Sequence, residues 1–254
     1  PSSHGPASVS GDKLVILTPH WDGIRNEFRH GFLPWYHART GKTIDIEYLD
    51  VGGTSDCIKY IKSEFKRSPD GIGVDLLFGG GTDPYFDLKR EGFLDPVRLD
   101  TAILKPIPTS CAGMPIYDTA GYWYGAALSG FGIIHNKWVA RQMKFSEPRE
   151  WKDLEDPRLA SWIGIADPRN SGTMHLMFEI ILQAYGWEEG WAILTGVAAN
   201  ARTWARGAGD VPRMVSRGDM AMGLAIDFYA WAEVSEAGEE KVGFILPSNL
   251  TVIT

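Results

Sequence analysis

The sequence predicts an α/β protein built on a parallel sheet. Three observations predict it. Short apolar runs alternate with segments whose apolar residues recur at helical spacing, glycine-bearing loops follow those runs, and a second series of the same kind begins at Ser129.

Lys13 to Thr18 (KLVILT) reads as the first strand. Asp22 is expected to cap a helix reaching Ala38, with Ile24, Phe28, Phe32, Trp35 and Tyr36 on one face. Thr43 to Leu49 is the second strand and Gly52-Gly53-Thr54 its loop; Ile58, Ile61 and Phe65 then mark a helix that stops near Ser68-Pro69. Val74 to Phe78 is the third strand, Gly79-Gly80-Gly81-Thr82 the third loop, and Pro84 to Arg90 a helix with proline in its first turn. From Leu94 to Tyr124 proline, glycine and aromatic residues break the pattern into a connector, with Tyr117 to Gly125 expected to be extended.

The second series opens with a strand at Ser129 to His135, helices at Lys137 to Gln142 and Trp151 to Leu154, and a strand at Trp162 to Ala166. A helix from Thr173 ends near Tyr185, where Gly186 suits a left-handed cap. Helices at Trp187 to Leu194 and Val211 to Ser216, a strand at Ala221 to Ile226, and a strand at Lys241 to Leu246 after a charged turn complete it. Pro247 leads into a last apolar run, Leu250 to Thr254.

Composition narrows the function. The 254 residues are 44% hydrophobic with a formal charge of −7, which argues against a surface that tracks nucleic-acid phosphates. No run approaches the ~20 apolar residues of a membrane-spanning helix. Residues 1–11 are rich in Ser, Pro and Gly, lack the basic and apolar regions of a signal peptide, and are expected to be a flexible leader. The first residue is Pro, which leaves open an upstream targeting segment and export. Cys57 and Cys111 are too few for a structural zinc site; a disulfide between them and two separate thiols both stay open. Phosphate-loop, dinucleotide, zinc-protease and serine-hydrolase motifs are all missing, so the expectation is a protein that holds a ligand, with no catalytic residue and no cofactor.

In parallel sheets ligands bind beyond the carboxyl ends of the strands. That places Pro19-His20-Trp21, Gly52-Gly53-Thr54 and Gly79-Gly80-Gly81-Thr82 at one edge, with Thr54 and Thr82 expected to cap the following helices. Of six histidines only His20 stands at a strand end facing the presumed crevice. In the second series Ser171, Gly172 and Thr173 open a helix, where free N–H groups and the dipole favour an anion or a carbonyl oxygen. Asp227 and Tyr229 follow another strand, a carboxylate and a phenol able to ligate a hard metal or a polar solute. Each has a plain alternative as a turn, a cap or a packed ring.

The segment GIIHNKWVARQMKFSEPREWKDLEDPRLASWIGIADPRNSGT, with TPHWDGIRNEF, GGGTDPYFDLKREGFLDP and AIDFYA, resembles bacterial extracellular solute-binding proteins of ABC importers, in the branch that binds ferric ion, phosphate esters or phosphonates. The likeness runs from Leu14 to Leu246. It implies a two-lobed periplasmic-binding-protein-like fold with crossing hinge strands and an interlobe ligand cleft. The lobes would be residues 12–118 with 243–254, and 126–240, joined by crossings at 119–125 and 241–246. The ligand set would be His20, Trp21, Gly53, Thr54, Gly80, Gly81, Thr82, Ser129, Ser171, Gly172, Thr173, Asp227 and Tyr229. A ferric ligand would use His20 and Tyr229, but iron-binding members carry adjacent tyrosines where this sequence has Phe228-Tyr229. The family normally continues past the return crossing, whereas this sequence stops at Thr254 inside an apolar segment, which leaves open whether it is a fragment of a longer protein.

The function so implied is capture of a small polar, anionic or metal-linked solute for a membrane permease, by a monomer that is periplasmic or extracellular, with a lipid anchor left open. A cationic solute such as a thiamine or polyamine, held on Trp21, Trp123 and Trp204, is the alternative, and a transferase on the same scaffold a third.

Overall fold

The computed structural model describes residues 12–111 and 113–248. The expected leader and the run from Leu250 to Thr254 lie outside the described residues. The chain divides into two units, residues 1–79 and 80–254.

The first unit is a three-stranded parallel sheet in the order β2-β1-β3, made by β1 (Asp12–Leu17), β2 (Ile44–Leu49) and β3 (Leu76–Leu77). The third strand is shorter than its apolar run; just before it the exposed Asp75 carboxylate takes up the Val15 N–H, which Oδ2 accepts at 2.8 Å. Between the strands run α1 (Asp22–Thr40) and α2 (Thr54–Arg67). Ile16, Leu17, Ile46, Cys57 and Ile61 form the small buried core. Asp22 is the first helical residue of α1; the capping position is Trp21, which makes no side-chain cap bond. Gly41 ends α1 at φ 70°, in the left-handed region that glycine enters without a Cβ clash.

The second unit starts with α3 (Asp83–Arg90), α4 (Thr101–Leu104) and the two-stranded hairpin of β4 (Ser110–Cys111) and β5 (Met114–Pro115). The stretch expected to be extended, Tyr117 to Gly125, instead folds back on itself. Tyr117 bridges Tyr124, and the Asp118 carboxylate accepts the N–H groups of Ala120 and Tyr122. An Asp that bonds its own following backbone makes a turn where composition alone suggested a straight run.

A five-stranded mixed sheet follows, in the order β10-β6-β9-β7-β8. Its strands are β6 (Phe131–Asn136), β7 (Ile163–Ala166), β8 (Ala201–Ala205), β9 (Met222–Ile226) and β10 (Val242–Ile245). β7 runs parallel to both β8 and β9, whereas β6 is antiparallel to both β9 and β10. Every residue of β6, β7 and β9 is buried, so these strands read as apolar runs, that of β6 up to the buried polar pair His135-Asn136.

The helices are α5 (Lys137–Met143), α6 (Gly172–Tyr185), α7 (Trp187–Asn200), α8 (Asp210–Arg217) and α9 (Asp227–Ala237), with short 3-10 turns at Trp151–Glu155 and Pro157–Leu159. One core gathers Phe131, Ile133, Trp151, Leu154, Ile165, Met177, Ile181 and Val197; a second holds Ile134, Val215, Ala230, Val234, Val242 and Phe244. Ile133 and Ile134 thus bury on opposite faces of β6, as the two-residue strand period requires.

Helix α7 continues to Asn200, past the expected end near Leu194, because Asn200 anchors it: its Nδ2 donates to the carbonyls of Leu154 at 2.9 Å and Asp156 at 2.8 Å. Gly186 has φ 78° and ψ 172°, a positive-φ conformation open to glycine, but its ψ lies outside the left-handed cap expected. No helix among the described residues is long and apolar enough to cross a membrane.

Candidate functional site

In the first unit the strand ends converge through Thr18. This fully buried hydroxyl donates to the Phe78 carbonyl at 2.7 Å and accepts the His20 N–H at 3.2 Å, tying the loops after β1 and β3 together. The His20 ring lies edge-on to Phe78, centroids 5.0 Å apart. Burial, helped by the nearby Arg25 charge, lowers its pKa to about 4, so the imidazole is neutral at pH 7. Trp21 folds over the first turn of α1, leaving no room for a side chain on Gly23.

The second loop is ordered by carboxylates. Gly52 donates to Asp50 and Gly53 to Asp56. Gly53 holds the capping position of α2 and Thr54 is its first helical residue, so Thr54 does not cap. Thr82 occupies the capping position of α3 but also makes no side-chain cap bond. Gly79, Gly80 and Gly81 have φ of 98°, 97° and 79°, three successive residues in a region that side chains disfavour.

In the second unit the sheet itself assembles the site. Because β7, β8 and β9 are parallel, the helices that follow them, α6, α8 and α9, all begin at one sheet edge. β6 is antiparallel to β9 with Phe131 opposite Ile226, which brings Ser129 and Gly130 to the same edge. Ser129, Ser171, Gly172, Thr173, Asp227 and Tyr229 are thereby brought together there.

Ser171 caps α6, its Oγ accepting the Met174 N–H at 3.2 Å. Just before it, Asp167 binds Arg169 through both carboxylate oxygens, and that contact holds the Asp167 carboxyl below its usual range. Asp227 is engaged rather than open: Oδ2 accepts the Gly130 N–H at 2.7 Å and Oδ1 the Phe228 N–H at 2.6 Å. Phe228 packs edge-on against Tyr229, whose ring also lies over Gly209.

Several participants were missed in the sequence. Arg206-Gly207-Ala208-Gly209 connects β8 to α8 at this edge, a glycine loop after a strand like those recognised upstream; its strand ARTWA escaped notice because it alternates polar and apolar residues. Arg25 and Asp50, an ion pair of 3.0 Å in the first unit between a buried guanidinium and an exposed carboxylate, carry no local motif at all. Of the aromatic residues considered for a cation, Trp123 is buried against Phe86, while Trp21 and Trp204 are partly exposed. Cys57 and Cys111 are free thiols, not a disulfide; Cys57 sits on the buried face of α2, where burial pushes its thiol up to about 12. Among the described residues no group of three or more His, Cys, Asp or Glu is placed to hold a metal ion.

A family profile described as bacterial extracellular solute-binding protein matches residues 74–252. The chain belongs to this family. Among related solute-binding and transport proteins, the phosphoglycerate transport regulatory protein PgtC of Salmonella typhimurium is 33% identical over 104 residues, 41% of this chain and 26% of that protein. An uncharacterized protein of Haemophilus influenzae is 26% identical over 189 residues, 72% of this chain and 52% of its own length. The chain thus matches about a quarter to a half of the length of these relatives.

Of solved structures, the periplasmic binding protein AfuA of Actinobacillus pleuropneumoniae, with fructose-6-phosphate bound, superposes with a TM-score of 0.76 at 19% identity, covering 96% of this chain and 72% of that one. Iron-bound HitA of Pseudomonas aeruginosa gives 0.70 at 20% identity, covering 95% and 73%. At these identities the likeness shows the fold, which this solute-binding protein shares with periplasmic binding proteins.

Proposed function

We propose that this solute-binding protein captures a small oxyanionic solute, a phosphate ester or phosphorylated acid, for an ABC-type permease. The observation that carries the reading is the gathering of three helix N-termini, those of α6, α8 and α9, at one edge of the second sheet. Helix N-termini present N–H donors and a positive dipole end, which suits a phosphate or carboxylate group. PgtC, by its name, serves phosphoglycerate transport, and AfuA carries fructose-6-phosphate; both lend support.

In this reading residues 12–118 with 243–254 form one lobe, 126–240 the other, and 119–125 and 241–246 the crossings. The contacts are His20, Trp21, Gly53, Thr54, Gly80, Gly81 and Thr82, with Ser129, Ser171, Gly172, Thr173 and Tyr229 taking the other part of the solute. Asp227 acts by fixing Gly130 and the start of α9. The protein works as a monomer in the periplasm or outside the cell. A ferric cargo is disfavoured, since Phe228 lacks a phenolate and the Asp227 carboxylate is already bonded to backbone. A cationic solute is disfavoured because Trp123 is turned into the protein.

Titration calorimetry with 3-phosphoglycerate, fructose 6-phosphate, inorganic phosphate, ferric citrate and spermidine tests the reading. Binding of a phosphorylated compound is expected, weakened in the Ser171→Ala, Thr173→Ala double variant. Binding of spermidine or ferric citrate alone, or of none of the five, would sink it.

A further inference from the structure

Among the described residues Arg25 is the only buried lysine or arginine, 9% exposed. It lies in the first turn of α1, where a cation opposes the helix dipole. A local rule broken in this way asks for a compensating role.

Its surroundings supply one. Nη2 meets Asp50 Oδ2 at 3.0 Å and Nη1 meets Asp22 Oδ1 at 3.5 Å, while the buried Nε has no hydrogen-bond acceptor. The two carboxylate side chains are 62% and 86% exposed. A guanidinium serving only to staple α1 to β2 would be expected to have buried partners and every inward donor satisfied, because an unmet buried N–H is costly. Here the cation is held inside and its counter-charges stand in water, where they exchange readily. The charge also lies close to two of the strand-end loops: it helps to hold His20 neutral after β1, and it is felt by Cys57 in the first turn of α2.

We infer that Arg25 is the anion-recognising residue of the first unit, exchanging Asp22 and Asp50 for an oxyanion of the solute. A guanidinium donates in a planar fork that matches phosphate or carboxylate in two parallel bonds, and Nε becomes part of that fork. The inference rests on the oxyanion reading and adds the residue that selects for charge.

The test measures affinities of the wild type, Arg25→Gln, Arg25→Lys and Asp50→Asn for 3-phosphoglycerate and inorganic phosphate, with unfolding midpoints recorded in parallel. Arg25→Gln is expected to weaken binding about 10- to 100-fold, and Arg25→Lys to lie between it and the wild type. Asp50→Asn removes the competing carboxylate and is expected to tighten binding, a gain that the Arg25→Gln, Asp50→Asn double variant is expected to lose because it passes through Arg25. Unchanged affinity in Arg25→Gln overturns the inference while the oxyanion reading stands. Should Arg25→Gln fail to fold, Asp50→Asn decides, and unchanged or weaker binding by it overturns the inference. If the wild type binds neither probe, nor any other phosphorylated compound, both readings fall together.

Discussion

The Asp227 carboxylate accepts the Gly130 N–H at 2.7 Å, and the Asp227 N–H donates to the Gly130 carbonyl at 2.9 Å. This reciprocal pair joins residues 97 positions apart and sets where β6 begins against the first turn of α9. Asp227→Ala is therefore expected to cost about 2 kcal/mol, since two partly buried N–H groups lose a charged acceptor. Urea unfolding checks it, with Asp227→Asn falling between; an unaltered midpoint in Asp227→Ala would mean that the carboxylate does not hold the edge together.

The glycine loop after β3 should respond to alanine unevenly. At Gly79 a Cβ would stand 2.3 Å from His20 Nε2, with φ at 98°, whereas at Gly81 it would stand 3.2 Å from a terminal methyl of Leu176. Gly79→Ala is expected to cost about 2 kcal/mol or more, and Gly81→Ala less, because a methyl yields where a packed imidazole does not. Denaturant midpoints that reverse this order would refute the argument.

His20 makes the stability depend on pH. Its folded pKa of about 4 lies below the ordinary 6.5, so the unfolded chain binds the proton more tightly. Stability from this group is full above pH 6.5 and is lost as pH falls toward 4, by about 2 kcal/mol between pH 7 and 5. His20→Gln should flatten that part of the curve, and thermal melts at the two pH values will show whether it does.

The thiols should differ in reactivity. Cys57 is fully buried with its thiol pushed up to about 12, whereas Cys111 is half-buried. A disulfide-exchange reagent at pH 8 is expected to modify Cys111 first and Cys57 only as fast as α2 opens, since the thiolate is the attacking species. Equal rates for the two in native protein would contradict the buried assignment.

Much of this fold was legible because local and long-range demands agree. The runs FGII in β6 and IGIA in β7 are apolar throughout because both faces are covered, and Ser171 reads as a cap because its hydroxyl serves the helix it precedes. Other features were hidden by competing demands. β8 is an edge strand, so Arg202 and Trp204 face outward and its pattern looks irregular. α9 follows β9 without a loop, so Asp227, which the sequence places at a strand end, lies in a first helical turn with its carboxylate bonded to backbone. The ion pair of Arg25 with Asp50 exists only once β1 and β2 have paired in register, which no short window of sequence can reveal.

The first and last strands of the five-stranded sheet, β6 and β10, are antiparallel neighbours, with Ile133 opposite Ile245. Backbone thus arrives and departs within about 5 Å, the width of one ladder step. Everything between, from Phe131 to Ile245, is a closed excursion whose two ends could be sealed to each other with a short linker. No strand of the first unit's sheet lies inside it, and a circular permutant opened at the Gly238–Glu240 turn is a direct way to learn whether it folds unaided.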